Sequence, residues 1–203
     1  MTSDERLAQL ERKLQGLTTA LEERDRKLRR LTDRQEILDC VARHARGCDR
    51  FDIEVLSSAF HEDGIDEHGF AINPGWKYGE WANEAHTRGS LQNMHNITTH
   101  LCEIDGDVAH AESYVIGLFL NTPDGKTARI LAGRYVDRLE RRDGVWGIVL
   151  RRSTVEIALE GDASFLSKPY FREMGFVNGM RDKRDVTYQR PLTLDETPAD
   201  RWS

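Results

Sequence analysis

No stretch of this 203-residue chain is apolar for anything near the ~18 residues that a membrane-spanning helix needs. No basic block is long enough to point to nucleic acid either. The run "ERDRKLRRLTDR" interleaves its arginines with acids, and the net charge is −6. That pattern reads as a solvated helix face. Cysteine is scarce: Cys40, Cys48 and Cys102 are too scattered for a zinc pattern and read as reduced thiols behaving as small apolar side chains. The N-terminus "MTSDERLAQLERK" is charged from its start and lacks the apolar core of a signal peptide. The expectation is a cytoplasmic protein with neither membrane nor nucleic acid among its partners. With 32% of its residues charged, part of the chain should be exposed helix or tail around one domain.

Leucines are what the first segment does have. Leu7, Leu10, Leu14, Leu17, Leu21, Leu28 and Leu31 mark an a/d heptad seam with one gap, at Arg24. A helix this polar cannot bury such a stripe by itself, so residues 1–31 are expected to be an oligomerising coiled-coil-like helix. Thr32, with Gln35 three residues on, has the capping-box spacing, and a helix follows through about Ala45, with Gly47 at its end. One long helix over 5–46 is the alternative. Asp52 can cap a short helix through Val55, Leu56, Ala59 and Phe60, and a third helix is expected over Trp81 to Thr87. The pattern then changes to strands. "HNITTHLCEI" and "VAHAESYVIGLFLN" are joined by "DGD", and "ARILAGRYVDRLERR" and "WGIVLRRSTVEIAL" by "DGV", both hairpin signals. Helices first and a meander afterwards predict an α+β fold, an antiparallel sheet wrapped over helices. Residues 161–203 lack periodicity but hold Phe165, Tyr170, Phe171, Phe176, Tyr188 and Trp202, too many aromatics for a disordered tail. They are expected to form an irregular extension packed on the body or on a neighbouring subunit.

Three segments, "GCDRFDIEVLSSAFHEDGIDEHG", "MHNITTHLCEIDGDVAHAESYV" and "GRYVDRLERRDGVWGIVLRR", resemble in order the SnoaL-like branch of the nuclear-transport-factor-2-like superfamily, over about residues 32–160. Within that branch the chain is similar to small lyases: hexachlorocyclohexane dehydrochlorinase, bile-acid 7α-dehydratase and scytalone dehydratase. The resemblance implies a cone-shaped α+β barrel, commonly a homotrimer, and an Asp at the end of the first long helix that orients a His on the first strand of the meander. Those positions are Asp49 and His95. Five residues before the Asp the relatives carry Lys or Tyr, and this chain carries His44. A cationic residue after the "DGVW" turn matches Arg151, with Arg152 the choice after a one-residue slip.

The chemistry is coherent on its own terms. An ionised Asp49 only accepts hydrogen bonds, so it would take Nδ1–H of His95 and leave Nε2 as a base. Arg151 could stabilise an enolate or a departing anion, and His44 could protonate a departing hydroxyl. Such an elimination needs no cofactor. His44, His61, His68 and His95 match no metal-ligand spacing, so no metal is expected. His68, Tyr114, Trp76, Tyr78 and Trp81 are candidates to line a substrate pocket. Strand alternation puts His100, five residues past His95, on the opposite face. The leading expectation is a cofactor-independent lyase that removes water, a halide or a small carbon fragment such as formaldehyde. Its small-molecule substrate would be of medium size, aromatic, alicyclic or steroid-like. Two alternatives stand beside it: a non-catalytic subunit of a ring-hydroxylating dioxygenase-type complex, and a ketosteroid-isomerase-like isomerase.

Overall fold

A computed structural model describes residues 2–194 and 200–202, so the expected C-terminal extension falls outside the described residues only at 195–199 and 203. The chain divides into two compact units, residues 1–36 and 37–203. One helix, α1 (Ser3–Arg50), takes the place of the two that a cap at Thr32 suggested. In the first unit the leucine seam is exposed, from Leu21 at 56% to Leu17 at 70%.

In the second unit α1 buries Ile37, Cys40, Val41, His44, Ala45 and Cys48, steps of three and four that make one face. Gly47, read as the helix stop, lies inside α1. A Cβ there would stand 2.5 Å from Leu56 Cβ, so the glycine admits the next helix rather than ending this one. The helix ends one turn later. Phe51 takes a left-handed φ of 52°, and the Asp52 N–H bonds back to the Gly47 carbonyl at 3.0 Å. That conformation costs a non-glycine residue about 1–2 kcal/mol. It places Asp49 on the rigid last turn of a helix instead of in a loop. Asp52 then caps α2 (Ile53–Ser57), its Oδ1 accepting the Val55 N–H at 3.4 Å.

The sheet follows: β1 (Phe60–His68), β2 (Ala71–Pro74), β3 (Ser90–Asp105), β4 (Val108–Asn121), β5 (Thr127–Arg142), β6 (Val145–Ser153) and β7 (Ile157–Asp162), with α3 (Gly75–Gly89) between β2 and β3. The expected third helix begins six residues early, directly after Pro74, because Gly75 lets the Phe60 ring lie against it. Strand order is β2-β1-β6-β5-β4-β3, and β7 pairs with β5. The fold is α+β as expected. The sheet is mixed rather than antiparallel throughout, since β1 runs parallel to β6, and it is open, with β2 and β3 at its edges. Both hairpins form at the DG signals. Asp143 and Gly144 both have positive φ, the type I′ turn that matches strand twist. Helix α3 packs on both β1 and β3, strands near opposite ends of the sheet order, so the sheet must curl around it.

Two irregularities correct the strand reading. Between Ile97 and His100, β3 spends three steps against two on β4 (Val115 to Ser113), a bulge that reverses its alternation. His95 and His100 therefore share the inner face, and His100 Nδ1 lies 2.8 Å from the buried Ser113 hydroxyl. The run "WGIVLRRSTVEIAL" is two strands. After Ser153 the chain crosses over Gly133, held by Thr154 N–H to Arg134 O and Glu156 N–H to Ala132 O, and β7 continues farther along β5. A side chain at position 133 would strike the Thr154 carbonyl.

Past β7, α4 (Pro169–Glu173) sits in an aromatic nest in which Phe171 meets Phe165, Phe176 and Trp202. Residues 178–188 then cross back over the end of α1 and the start of β3. Gln92 donates to Gly179 O at 2.6 Å, Arg181 donates to Ser90 O and Oγ at 2.7 Å each, and Asp52 accepts from both Lys183 and Tyr188 at 2.6 Å.

Candidate active site

Asp49 and His95 meet where α1 ends on β3. His95 Nδ1 lies 2.7 Å from Asp49 Oδ1, the His95 backbone N–H donates to Oδ2 at 2.9 Å, and Asn93 Nδ2 donates to Oδ1 at 2.9 Å. An acceptor-only carboxylate opposite Nδ1 fixes the proton there and leaves the Nε2 lone pair as the reactive atom. Both side chains are nearly buried, His95 at 9% and Asp49 at 10% exposure. Phe119 meets the His95 ring edge to face at 5.6 Å, and His86 of α3 lies beside it at the same separation. Burial, reinforced by the neighbouring His95 and Arg181 side chains, pushes His86 down to about 3, so it is a neutral ring at physiological pH. Arg181 caps this corner with its guanidinium 4.8 Å from the Phe51 ring centroid, and burial lowers it to about 10.

A second polar group lies under the other end of α3. Asp66 is completely buried, with His68 Nδ1 3.1 Å from Oδ1 and His44 Nε2 3.6 Å from Oδ2. Burial alone would raise this carboxyl, but the two imidazoles outweigh it and hold Asp66 well below the ordinary carboxylate range. His68 keeps 29% side-chain exposure, with Ser153 Oγ also 2.9 Å from Nδ1. His44 has no exposed surface. It stacks on Tyr78 at 5.1 Å, and burial plus the Arg151 charge push it down to about 3. Arg151 is likewise fully buried, forked onto Asp137 at 2.7 and 2.6 Å, with its guanidinium 4.1 Å from the Tyr135 ring centroid. Its neighbour Arg152 points out to Glu67.

Of the candidate lining residues, the structure brings His68, Tyr78 and Trp81 together: the rings of Tyr78 and Trp81 lie 5.2 and 6.1 Å from His68. Two others are corrected. Tyr114 is 45% exposed, because β4 buries its odd-numbered residues and turns the even ones outward. Trp76 is 50% exposed, on the wrong side of α3, with Lys77 over its ring. Asn93, Asp66, His86 and Arg181 are site residues that the sequence reading missed. Asn93 and His86 had a signal, each two strand residues or two helical turns from a residue already singled out; Asp66 and Arg181 had none. Among the described residues no three His, Cys, Asp or Glu side chains converge on a metal-sized site. A groove of about 380 Å³ is lined by the outward-facing Met94, Leu118 and Leu120, by Ile130 and Leu166, and by Asn93 and Phe119 of the dyad corner.

Neutral buried histidines make stability depend on acid. His44 has a folded value of about 3 and an ordinary value of 6.5, so the folded state binds fewer protons. The stability this contributes is fully present above pH 6.5 and is lost as pH falls toward 3. Between pH 6.5 and 5 His44 alone should remove about 2 kcal/mol. Urea unfolding at pH 7.5, 6 and 5 checks this, and an unfolding free energy that stays level over that range would contradict the neutral assignment.

Solved structures with this fold include proteins of known and unknown activity. Rv3472 of Mycobacterium tuberculosis, a protein of unknown function, is 29% identical over 63% of this chain and 74% of its own, with a TM-score of 0.55. The hexachlorocyclohexane dehydrochlorinase LinA-type3 of Novosphingobium barchaimii is 22% identical over 66% of this chain and 94% of its own, at 0.61. A scytalone dehydratase-like protein of Novosphingobium aromaticivorans is 19% identical over 64% and 88%, at 0.57. No curated protein matches the chain. The SnoaL-like domain family matches residues 29–152, which hold α1's last turns, the whole of β1 to β5 and both buried carboxylates with their histidines, and the chain belongs to that family.

Proposed function

We propose that the protein is a cofactor-independent lyase in which the Asp49–His95 dyad drives a base-assisted elimination. One observation carries this reading: Asp49 spends its oxygens on three N–H donors of a single strand, two from His95 and one from Asn93. A carboxylate held this way cannot swing to another partner, so it fixes both the tautomer and the direction of the imidazole. His95 Nε2 takes a proton from carbon, the electron pair enters the new double bond, and the leaving group departs with its bonding pair. Arg151, neutralised by its buried fork onto Asp137, takes no direct part in the step and holds the sheet behind the site. His44, neutral and enclosed, serves as a brace for Asp66 rather than as a cationic acid. The dehydrochlorinase and dehydratase names among the similar structures support an elimination and leave the substrate open.

The experiment is a turnover screen in deuterated buffer without added metal or cofactor. Its panel holds hydroxylated aromatic dimers, hydroxysteroid thioesters and halogenated alicyclics, with His95→Ala as control. Turnover that vanishes in the variant supports the lyase. Deuterium gained without loss of a leaving group points to the isomerase. Silence on the whole panel favours the non-catalytic subunit, and activity that survives the substitution overturns the dyad.

A further inference from the structure

Building on that lyase reading, we propose that His68, oriented by Asp66, is a second catalytic imidazole: the proton donor to an oxygen leaving group, working opposite His95 across the same space.

Its construction parallels that of the dyad. In each pair a buried carboxylate meets the Nδ1 of a histidine on a strand and leaves Nε2 pointing away, at 2.7 Å for Asp49–His95 and 3.1 Å for Asp66–His68. The two histidines come from strands near opposite ends of the sheet order, β3 and β1, and α3 packs on both. The helix records the arrangement along its length. Tyr78 and Trp81 lie against His68, and His86 lies against His95. From Tyr78 to His86 is eight residues, about 12 Å of helix. That interval suits two proton-transfer contacts of about 3 Å with a pair of reacting carbons between them.

Exposure separates the two histidines around Asp66. His44 is sealed and His68 is not, so only His68 can meet a substrate. Asp66 thus has one imidazole behind it and one in front. Ser153, the β6 partner of His68 in the sheet register, holds the ring from the side at 2.9 Å.

The step balances. His95 Nε2 removes the proton from one carbon, and that C–H pair becomes the π bond as the C–O bond on the neighbouring carbon breaks. The departing oxygen takes its bonding pair and the Nε2 proton of a doubly protonated His68, leaving as water or an alcohol. Exchange with solvent then returns one proton to His68 and removes one from His95. A halide is a weak base and needs no such donor, so the pair selects for hydroxyl or ether leaving groups.

Two measurements test this. The first is long-range ¹H–¹⁵N NMR of the imidazoles in ¹⁵N-labelled wild-type protein, which needs no substrate. The neutral form of His68 should carry its proton on Nδ1, as His95 does; a proton on Nε2 overturns the proposal. The second uses 4-hydroxy-4-phenylbutan-2-one and its 4-chloro analogue as probes. His68→Gln should lower kcat on the alcohol by about 10²-fold or more and change the chloride by no more than a few-fold. Asp66→Asn, which preserves shape, should show the same selectivity. Equal losses on both probes overturn the donor role. A failure of the underlying lyase reading shows separately, as activity that His95→Ala leaves intact.

Discussion

His95→Ala is expected to lower kcat by about 10³-fold on the substrate that the screen identifies, within the range for loss of a positioned general base. Asp49→Ala should lose nearly as much, and the double variant little more than either single one. The reason is structural. Asp49 makes three contacts to β3 and touches substrate through none of them, so all its influence passes through the tautomer and direction of His95. Asp49→Asn is the sharper variant. Its amide would offer N–H toward Nδ1, favour the Nε2–H tautomer and put the lone pair on the wrong nitrogen. It should therefore fall as far as the alanine variant while its thermal unfolding stays close to that of wild type. Small additive losses would sink the dyad.

The largest stability effect is expected from Arg151. Its guanidinium and the Asp137 carboxylate are both fully enclosed, two N–H donors against two oxygens. Arg151→Met leaves a buried carboxylate unpaired and should cost about 3–5 kcal/mol. At ~2–4 °C of Tm per kcal/mol for a domain of this size, that is a drop on the order of 10 °C. The paired change Arg151→Met with Asp137→Leu should recover most of it, because the penalty comes from the orphaned charge rather than from the lost attraction. Differential scanning calorimetry of the two variants decides. If the pair is no more stable than the single variant, the ion pair itself contributes the stability.

The pairing of Asp49 with His95 was legible through the family resemblance, which rests on local segments kept in order, while the helix end that carries Asp49 was read several residues short. Tyr114 and Trp76 misled because each lies in the right element on the wrong face. A face is decided by one residue of register, and aromatics are common on both. His100 is the clearest case. Five residues from His95 means opposite faces only if the strand is regular, and the bulge between Ile97 and His100 is fixed by pairing with β4, which no local pattern announces. Gly47 signals a helix end by composition and serves instead as a contact for Leu56. Asp66 was hidden in "HEDGIDEHG" among surface-like acids. Its burial comes from two imidazoles distant in sequence or facing and from the parallel pairing of β1 with β6, a long-range event.

The segment 178–188 has a consequence for the order in which the site is made. Its anchors, Arg50 and Asp52 on one side and Ser90 and Gln92 on the other, lie next to the two members of the dyad and between them in sequence. Chains are synthesised from the N-terminus, and domains fold as they emerge. Asp49 and His95, with the strands that hold them, leave the ribosome long before residue 178. The elements that orient the base are thus synthesised before the segment that covers the corner over it. Residues 178–188 act as a late-arriving clasp on a corner whose other parts come much earlier in the chain.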